Sequence, residues 1–291
     1  MVLILDGKIT SEKIKNDLEI QIASTIEKYG RAPGLATVLV GEDPASQMYV
    51  GMKINACHRV GIHSENIRLP NDCTFEQVVK TIEELNSLKE IDGILLQLPL
   101  PSHLRAQTDN IVQKISPDKD VDGLSPYTMG LTNMGDETYT AATPKGMIRL
   151  LEEYNIEIEG KEVVIINRSI IIGKPLVMMF LKRNGTVTVC HTKTKDLNFH
   201  MKRADILVTG VGKANFVNAD RIKEGVVYLD AGINQDENGK LCGDGDFQGI
   251  KDKCSAITPV PGGVGPMTIA ILMENTYLSF LKRVKKRIKS V

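Results

Sequence analysis

Several stretches of this chain hold residues whose types and spacing can do chemistry. Tyr49 and Lys53 stand four residues apart in a segment that reads as helical, so they share one face. Such a pair is either a surface couple or a lysine turned into a cleft beside a stacking ring. A desolvated lysine loses its proton more easily and can serve as a general base. Gln97 is the one polar side chain in the run Gly93-Ile94-Leu95-Leu96-Gln97-Leu98, and Pro99-Leu100-Pro101 stops that run. Its buried amide must find partners, either in a neighbouring loop or on a ligand. Asp118-Lys119-Asp120-Val121-Asp122-Gly123 resembles the start of a calcium loop, but the position that needs a bidentate glutamate is Met129. Calcium is therefore rejected. Asp122, just before Gly123 and Leu124, is expected to point inward and to accept paired N–H bonds from a polar heterocycle. Asp118 and Asp120 are expected to face water.

A second group of residues suits a nucleotide. The run Val163-Val164-Ile165-Ile166 leads into Asn167-Arg168-Ser169, and Gly173-Lys174-Pro175 opens a helix. The GxGxxG fingerprint is absent, yet a strand, a tight polar turn and a helix N-terminus can hold a pyrophosphate. Arg168 can pair with a ribose 2′-phosphate. His191-Thr192-Lys193-Thr194 offers further phosphate donors after the next strand. Gly210-Val211-Gly212 and Asp230-Ala231-Gly232-Ile233-Asn234 also end strands, as the lining of a nucleotide crevice requires. Finally, Pro259-Val260-Pro261-Gly262-Gly263-Val264-Gly265-Pro266-Met267-Thr268 precedes an apolar helical run. Glycine permits close backbone approach and proline stiffens the path, so this loop either connects two elements or closes over a flat ring or a phosphate.

The elements that must position these groups alternate between strand and helix. Strands are expected over 35–40, 65–69, 91–98, 162–166, 186–190, 205–209 and 226–230. Asp43 reads as an N-cap with Pro44 at the first helical position, opening a helix to Val60. Thr74 and Gln77 form a capping box for a helix to Leu88. Thr143-Pro144 reads as another cap-plus-proline start, for a helix to Tyr154, and a further helix begins near Pro175. This alternation implies parallel sheets covered by helices, with ligands at the carboxyl ends of strands. The chain is expected to divide near residue 140, with residues 1–140 as one domain and 141–267 as a dinucleotide-binding domain. The last helix, 268–291, is expected to pack back on the first.

Composition narrows the class. The chain has 291 residues, 42% hydrophobic, with 36 basic and 36 acidic side chains. Zero formal charge argues against non-specific nucleic-acid binding. Five cysteines without a CxxC pair read as reduced thiols, and five scattered histidines suggest no zinc site. Val2-Leu3-Ile4-Leu5 is too short for a signal peptide, and no stretch reaches transmembrane length. A soluble, cytoplasmic protein without membrane partners is expected. The basic run from Lys282 to Lys289 reads as a solvated helix end.

Taken together, the motifs resemble one family from end to end: the methylenetetrahydrofolate dehydrogenase/cyclohydrolases. Ser46-Gln47-Met48-Tyr49-Val50 with Lys53 resembles its catalytic helix, and Gln97-Leu98-Pro99-Leu100 its first signature. Lys119-Asp120-Val121-Asp122-Gly123 resembles its folate-contacting turn. Arg168-Ser169 with Gly173 and Pro175 resembles its dinucleotide turn, and Pro261-Gly262-Gly263-Val264-Gly265-Pro266-Met267-Thr268 its second signature. The resemblance implies an α/β fold of two domains, a folate-binding catalytic one and a Rossmann-type one, with a cleft between them. It implies oxidation of 5,10-methylenetetrahydrofolate with NADP, NAD being the weaker candidate, followed by hydrolysis to 10-formyltetrahydrofolate. The implied setting is one-carbon metabolism serving purine, methionine and histidine synthesis, and the implied assembly is a homodimer.

Carried over residue by residue, the resemblance makes Lys53 the catalytic lysine, Gln97 its assistant, Tyr49 the stacking ring and Asp122 the pterin carboxylate. It also places Val50, Leu98, Pro99, Pro261, Gly262 and Gly263 beside the folate. The chain departs from the family at Asn167, where glycine is usual, and at Ile54 and Asn55, where basic residues are common. Three alternatives remain open at this level. They are a relative with one of the two activities, a folate or nucleotide sensor without turnover, and an unrelated Rossmann oxidoreductase.

Overall fold

The structure, a computed structural model, describes residues 2–289, with side chains as far as Lys286. The chain opens with β1 (Leu3–Ile4), α1 (Gly7–Tyr29), β2 (Gly34–Val40), α2 (Pro44–Val60), β3 (His63–Leu69), α3 (Phe75–Ser87) and β4 (Gly93–Leu96). Next come α4 (Thr108–Val112), α5 (Pro126–Asn133), α6 (Ala142–Glu153), β5 (Glu162–Ile166), α7 (Gly173–Lys182), β6 (Thr186–Cys190) and α8 (Leu197–Arg203). The last elements are β7 (Ile206–Thr209), β8 (Val226–Asp230), β9 (Asn234–Gln235), β10 (Leu241–Cys242), α9 (Phe247–Ile250), β11 (Cys254–Ile257) and α10 (Val264–Lys289). Two compact units result. One takes Glu12–Leu131, Thr138–Ala142 and the chain from Ile269; the other takes the chain up to Ser11, Thr132–Glu137 and Thr143–Thr268.

The first of these units is built on three parallel strands in the order β3-β2-β4. Every residue of the central strand β2 is buried, as a strand covered on both faces requires. Its Ala36, Val38 and Val40 share an apolar cluster with Ile94 and Leu96 of β4 and with Val78, Ile82 and Leu85 of α3. Local signals set the helices. The Asp43 side chain accepts from the Ser46 amide at 2.8 Å, Pro44 opens α2, and Gly61 ends it in the left-handed region at φ 84°. Thr74 and Gln77 form the expected capping box on α3. The other end of α3 meets the buried Lys119, whose Nζ donates to the carbonyls of Leu85, Asn86 and Leu88 at 2.7–2.8 Å. A cation there satisfies the last carbonyls and opposes the helix dipole. From α10, Asn275 Nδ2 donates to the Val121 carbonyl at 2.9 Å, and Ser279 Oγ lies 2.6 Å from the Asp92 carbonyl.

Six parallel strands form the second unit, in the order β1-β11-β8-β7-β5-β6. Alternation along β5 sends Val163 and Ile165 into one apolar cluster and Val164 and Ile166 into another. Strand order reverses at β5, with β6 on one side and β7 on the other, which marks the place where such sheets bind ligands.

Several elements differ from the reading of the sequence. The strand expected over 91–98 is regular only over Gly93–Leu96: at its start the Asp92 carboxylate is held by Arg31 and the Gly34 amide, and at its end Gln97 folds its amide onto the Leu98 carbonyl ahead of Pro99. The edge strand β3 is longer than expected and pairs with the whole of β2. Thr143 is not a cap: α6 starts at Ala142, and the Thr143 hydroxyl bonds Thr268 Oγ1 at 3.0 Å. The long helix α1 and the two-residue β1 had not been placed. In the basic C-terminal run, Lys282 and Lys286 pair with Asp118 at 3.2 and 2.8 Å. The side chains beyond Lys286, and residues 290–291, lie outside the described residues. No described helix is long and apolar enough to cross a membrane.

Candidate active site

In the first unit the candidate groups follow the carboxyl ends of β2 and β4. Lys53 lies on α2, the helix after β2, and its Nζ donates to Gln97 Oε1 at 2.9 Å. Gln97 directly follows β4 and is 8% exposed. Its Nε2 donates to the Leu98 carbonyl at 2.7 Å, so the amide can present only its oxygen to Lys53. The two readings of Gln97 are thus both partly met: the amide pins its own turn and is aimed at an ionisable group. Burial lowers the Lys53 pKa, and the charge of Asp122 acts against that shift. Burial likewise pushes the Asp122 carboxyl up to about 6, against the pull of Lys53. Both side chains keep some solvent access, so their attraction is partly screened.

A rigid turn presents Asp122. The Asp120 carboxylate, 1% exposed, accepts the amides of Gly123, Leu124 and Ser125 and the Thr128 hydroxyl at 2.7–3.2 Å. The expectation that Asp120 faces water is therefore corrected: it is the internal anchor of the turn. Gly123 has φ +70°, and a Cβ there would sit 2.2 Å from the Tyr139 carbonyl, so only glycine fits. Tyr49 is partly exposed one turn before Lys53, and burial raises its pKa. Val50 had been expected beside a ligand, but at 1% exposure its side chain packs the core. Leu98 is partly exposed and Pro99 exposed.

In the second unit a cavity of about 420 Å³ opens at the carboxyl ends of β5, β6 and β7. Of the predicted residues, Asn167, Arg168, His191, Thr192, Gly210 and Val211 line it. Arg168 is exposed there and available to an anion. Ser169, Gly173 and Pro175 instead build the turn below. A Cβ on Gly173 would lie 2.0 Å from the Asn167 carbonyl, so glycine is required for helix and turn to close. Thr194 is a brace, since its Oγ1 accepts the His191 amide at 2.8 Å, and the Lys193 amide donates to His191 Nδ1 at 3.1 Å. Gly212 and Ile233 are exposed and do not line the cavity. Asn234 Nδ2 donates to Asp244 and to the Gly243 carbonyl, both at 3.0 Å. In the second signature, the Gly262 carbonyl accepts the Lys8 amide at 2.9 Å, and a Cβ on Gly7 would lie 1.8 Å from the Gly263 carbonyl. This loop therefore seats the start of α1.

The sequence reading missed the carboxylate of Asp244 and gave Asp230 only as the start of a crevice-lining stretch at a strand end. Asp244, fully buried, accepts the Val211 amide at 2.6 Å and the Lys213 amide at 3.0 Å, which shapes the turn after β7. Asp230 accepts the amides of Gly232, Asp244 and Gly245 at 2.8–3.0 Å. Burial pushes its carboxyl up to about 6 although those amides pull it down. Close approach explains the adjacent glycines: a Cβ on Gly243 would sit 2.2 Å from Asp230 Oδ2, and one on Gly232 2.3 Å from Asp244 Oδ1. A carboxylate between glycines, Gly243-Asp244-Gly245, was the available signal.

The fold and these groups define a dinucleotide-binding α/β protein that also carries a desolvated, ionisable amine. The sequence model of the tetrahydrofolate dehydrogenase/cyclohydrolase NAD(P)-binding domain matches residues 141–284, and that of the same family's catalytic domain matches 5–122. The chain belongs to this tetrahydrofolate dehydrogenase/cyclohydrolase family. It is 52% identical over 275 residues to the bifunctional protein FolD of Methanoculleus marisnigri, covering 94% of this chain and 95% of that protein. The crystal structure of FolD from Campylobacter jejuni matches with a TM-score of 0.92 at 43% identity, over 99% of this chain and 100% of that one. The Trypanosoma brucei dehydrogenase-cyclohydrolase, solved with NADP cofactor and inhibitor, also gives 0.92, at 32% identity over 97% and 98% of the two chains.

Proposed function

We propose that this chain oxidises 5,10-methylenetetrahydrofolate to 5,10-methenyltetrahydrofolate with NADP and hydrolyses the product to 10-formyltetrahydrofolate. The observation that carries the reading is the Lys53–Gln97 bond at 2.9 Å, on an amine whose burial favours the neutral form. The cavity at the switch point of the six-stranded sheet, with the Arg168 cation at its rim, fits a phosphorylated dinucleotide. When bound, NADP supplies the acceptor for the hydride. Arg168 holds the ribose 2′-phosphate, and His191 and Thr192 border it.

The substrate carbon lies between two nitrogens, so the oxidised product is a resonance-stabilised cation and the first step needs positioning more than acid or base. Tyr49 stacks on the folate and Asp122 accepts N–H bonds from the pterin. The resemblance also assigns Pro261, Gly262 and Gly263 to folate contacts. A protonated lysine would repel the cation, whereas the neutral amine can take a proton from the attacking water. Gln97 orients that amine by accepting its N–H. Family likeness supports the remaining parts: a homodimer, a cytoplasmic location, and delivery of one-carbon units to purine, methionine and histidine synthesis.

A single time course tests the reading. Purified protein, 5,10-methylenetetrahydrofolate and NADP are mixed, and NADPH, methenyl and formyl species are followed together. NADPH formation followed by formyl product is expected. Accumulating methenyl product would leave a dehydrogenase alone. No reduction with NADP or NAD, while added methenyl substrate is still hydrolysed, would leave a cyclohydrolase.

A further inference from the structure

The turn after β5 uses its own side chains where a dinucleotide fold commonly offers bare amides. Asn167 Oδ1 accepts the Ser169 amide at 2.8 Å, the Ser169 hydroxyl at 2.7 Å and the Gly173 amide at 3.1 Å. The Ser169 hydroxyl oxygen in turn accepts the Ile172 amide at 3.1 Å, and the Ser169 carbonyl accepts the Lys174 amide at 3.0 Å. The amides of Ser169, Ile172, Gly173 and Lys174 are thus all taken within the turn. Those of residues 172–174 would otherwise meet an anion at the start of α7. On its other side, Asn167 Nδ2 donates to the Gly210 carbonyl at 2.7 Å, which ties this turn to the one after β7. The two turns flank the strand-order reversal, and both line the cavity.

We propose that Asn167 is a positioning residue for the dinucleotide: its carboxamide stands in for an anion at the start of α7 and clamps the two crevice turns together. The start of α7 is then already occupied by the Asn167 oxygen, and Arg168, on the same turn, is left to meet the 2′-phosphate that only NADP carries. This inference rests on the proposed dinucleotide function. Asn167 acts on the turn, so it serves NADP and NAD alike.

The test is binding of NADP and NAD to wild type, Asn167→Ala and Asn167→Asp, by calorimetry on the unliganded proteins, with circular dichroism to establish folding. Asn167→Ala is expected to weaken both dinucleotides by the same factor, about tenfold, the usual effect of losing hydrogen bonds worth between one and two kcal/mol. In turnover the loss should fall on the KM for NADP rather than on kcat. Asn167→Asp keeps an acceptor for the three donors. It turns a second oxygen toward the Gly210 carbonyl and adds charge beside the phosphates, so it should bind more weakly than Asn167→Ala. Should Asn167→Ala not fold, Asn167→Asp carries the test through the same comparison with wild type. Folded variants that bind both dinucleotides as tightly as wild type, or more tightly, would overturn the inference alone. Wild type binding neither dinucleotide would overturn the functional reading, and this inference with it.

Discussion

Replacing Gln97 by glutamate exchanges an amide oxygen for a carboxylate at 2.9 Å from Lys53 Nζ, with almost no change of shape. Burial holds the Lys53 pKa below its ordinary value, and a carboxylate opposes that shift by stabilising the charged form. A charge pair at this separation is worth several kcal/mol at a protein-like dielectric. Solvent access at Lys53 trims this, and about one to three pK units is the usual size of such an effect. Below the lysine pKa, each unit lowers the neutral fraction about tenfold. On the acid limb of the wild-type profile, hydrolysis of added methenyltetrahydrofolate should therefore fall about 10- to 1,000-fold in Gln97→Glu, and the rate should recover as pH rises by the same one to three units. The contact to the Leu98 carbonyl works the other way, since a carboxylate there loses the Nε2 donor. Gln97→Met separates the effects by removing the amide without adding charge. The assay is the initial hydrolysis rate from pH 6 to 10, corrected for the uncatalysed reaction. A Gln97→Glu profile that falls in height without moving along the pH axis would refute a neutral Lys53 as the working base.

Asp122→Asn removes the charge that holds the Lys53 pKa up, so its hydrolysis profile should shift toward lower pH. The same residue makes a linkage prediction. Its folded carboxyl titrates near 6 against 3.8 for the free group. The stability this proton binding contributes is present below the unfolded value and lost as pH rises through the folded one. In urea titrations, Asp122→Asn should therefore gain on wild type as pH rises from 4 to 7; a constant difference would refute it. Arg168→Ala should raise the Kd for NADP by about 10- to 100-fold and leave NAD nearly unchanged, since only one of the two carries the 2′-phosphate. An equal loss for both would remove that assignment. Asp120→Ala leaves three amides and a hydroxyl without their buried acceptor. It should cost about 3–5 kcal/mol in denaturant unfolding, and a loss below about 1 kcal/mol would show that water replaces the carboxylate.

What the sequence made legible was local. Asp43 with Pro44, and Thr74 with Gln77, satisfy amides within a turn of themselves, so α2 and α3 could be read from neighbours in the chain. The strands Glu162–Ile166 and Val226–Asp230 are apolar runs buried in a parallel sheet, Thr186–Cys190 is its half-exposed β-branched edge, and the ends of all three were read without error. The motifs also carried the family, because Gln97-Leu98-Pro99-Leu100 and the glycine–proline run survive as contiguous strings. A two-residue strand has no period, so the pairing of β1 with β11, some 250 residues away, left no trace in the sequence. The same holds for the partners of polar groups. Nothing near Asp120 distinguishes an internal anchor from a solvated acid, and nothing near Asn167 points to the Gly210 carbonyl. The sequence by itself determined which residues are present to do chemistry and which segments are helix or strand, since turns and apolar periods act over a few residues. Only the tertiary structure decided bonding and electrostatic surroundings: which way the Lys53 pKa is pushed, which aspartate anchors its turn and what Asn167 holds. Those depend on burial and on groups brought together from distant parts of the chain.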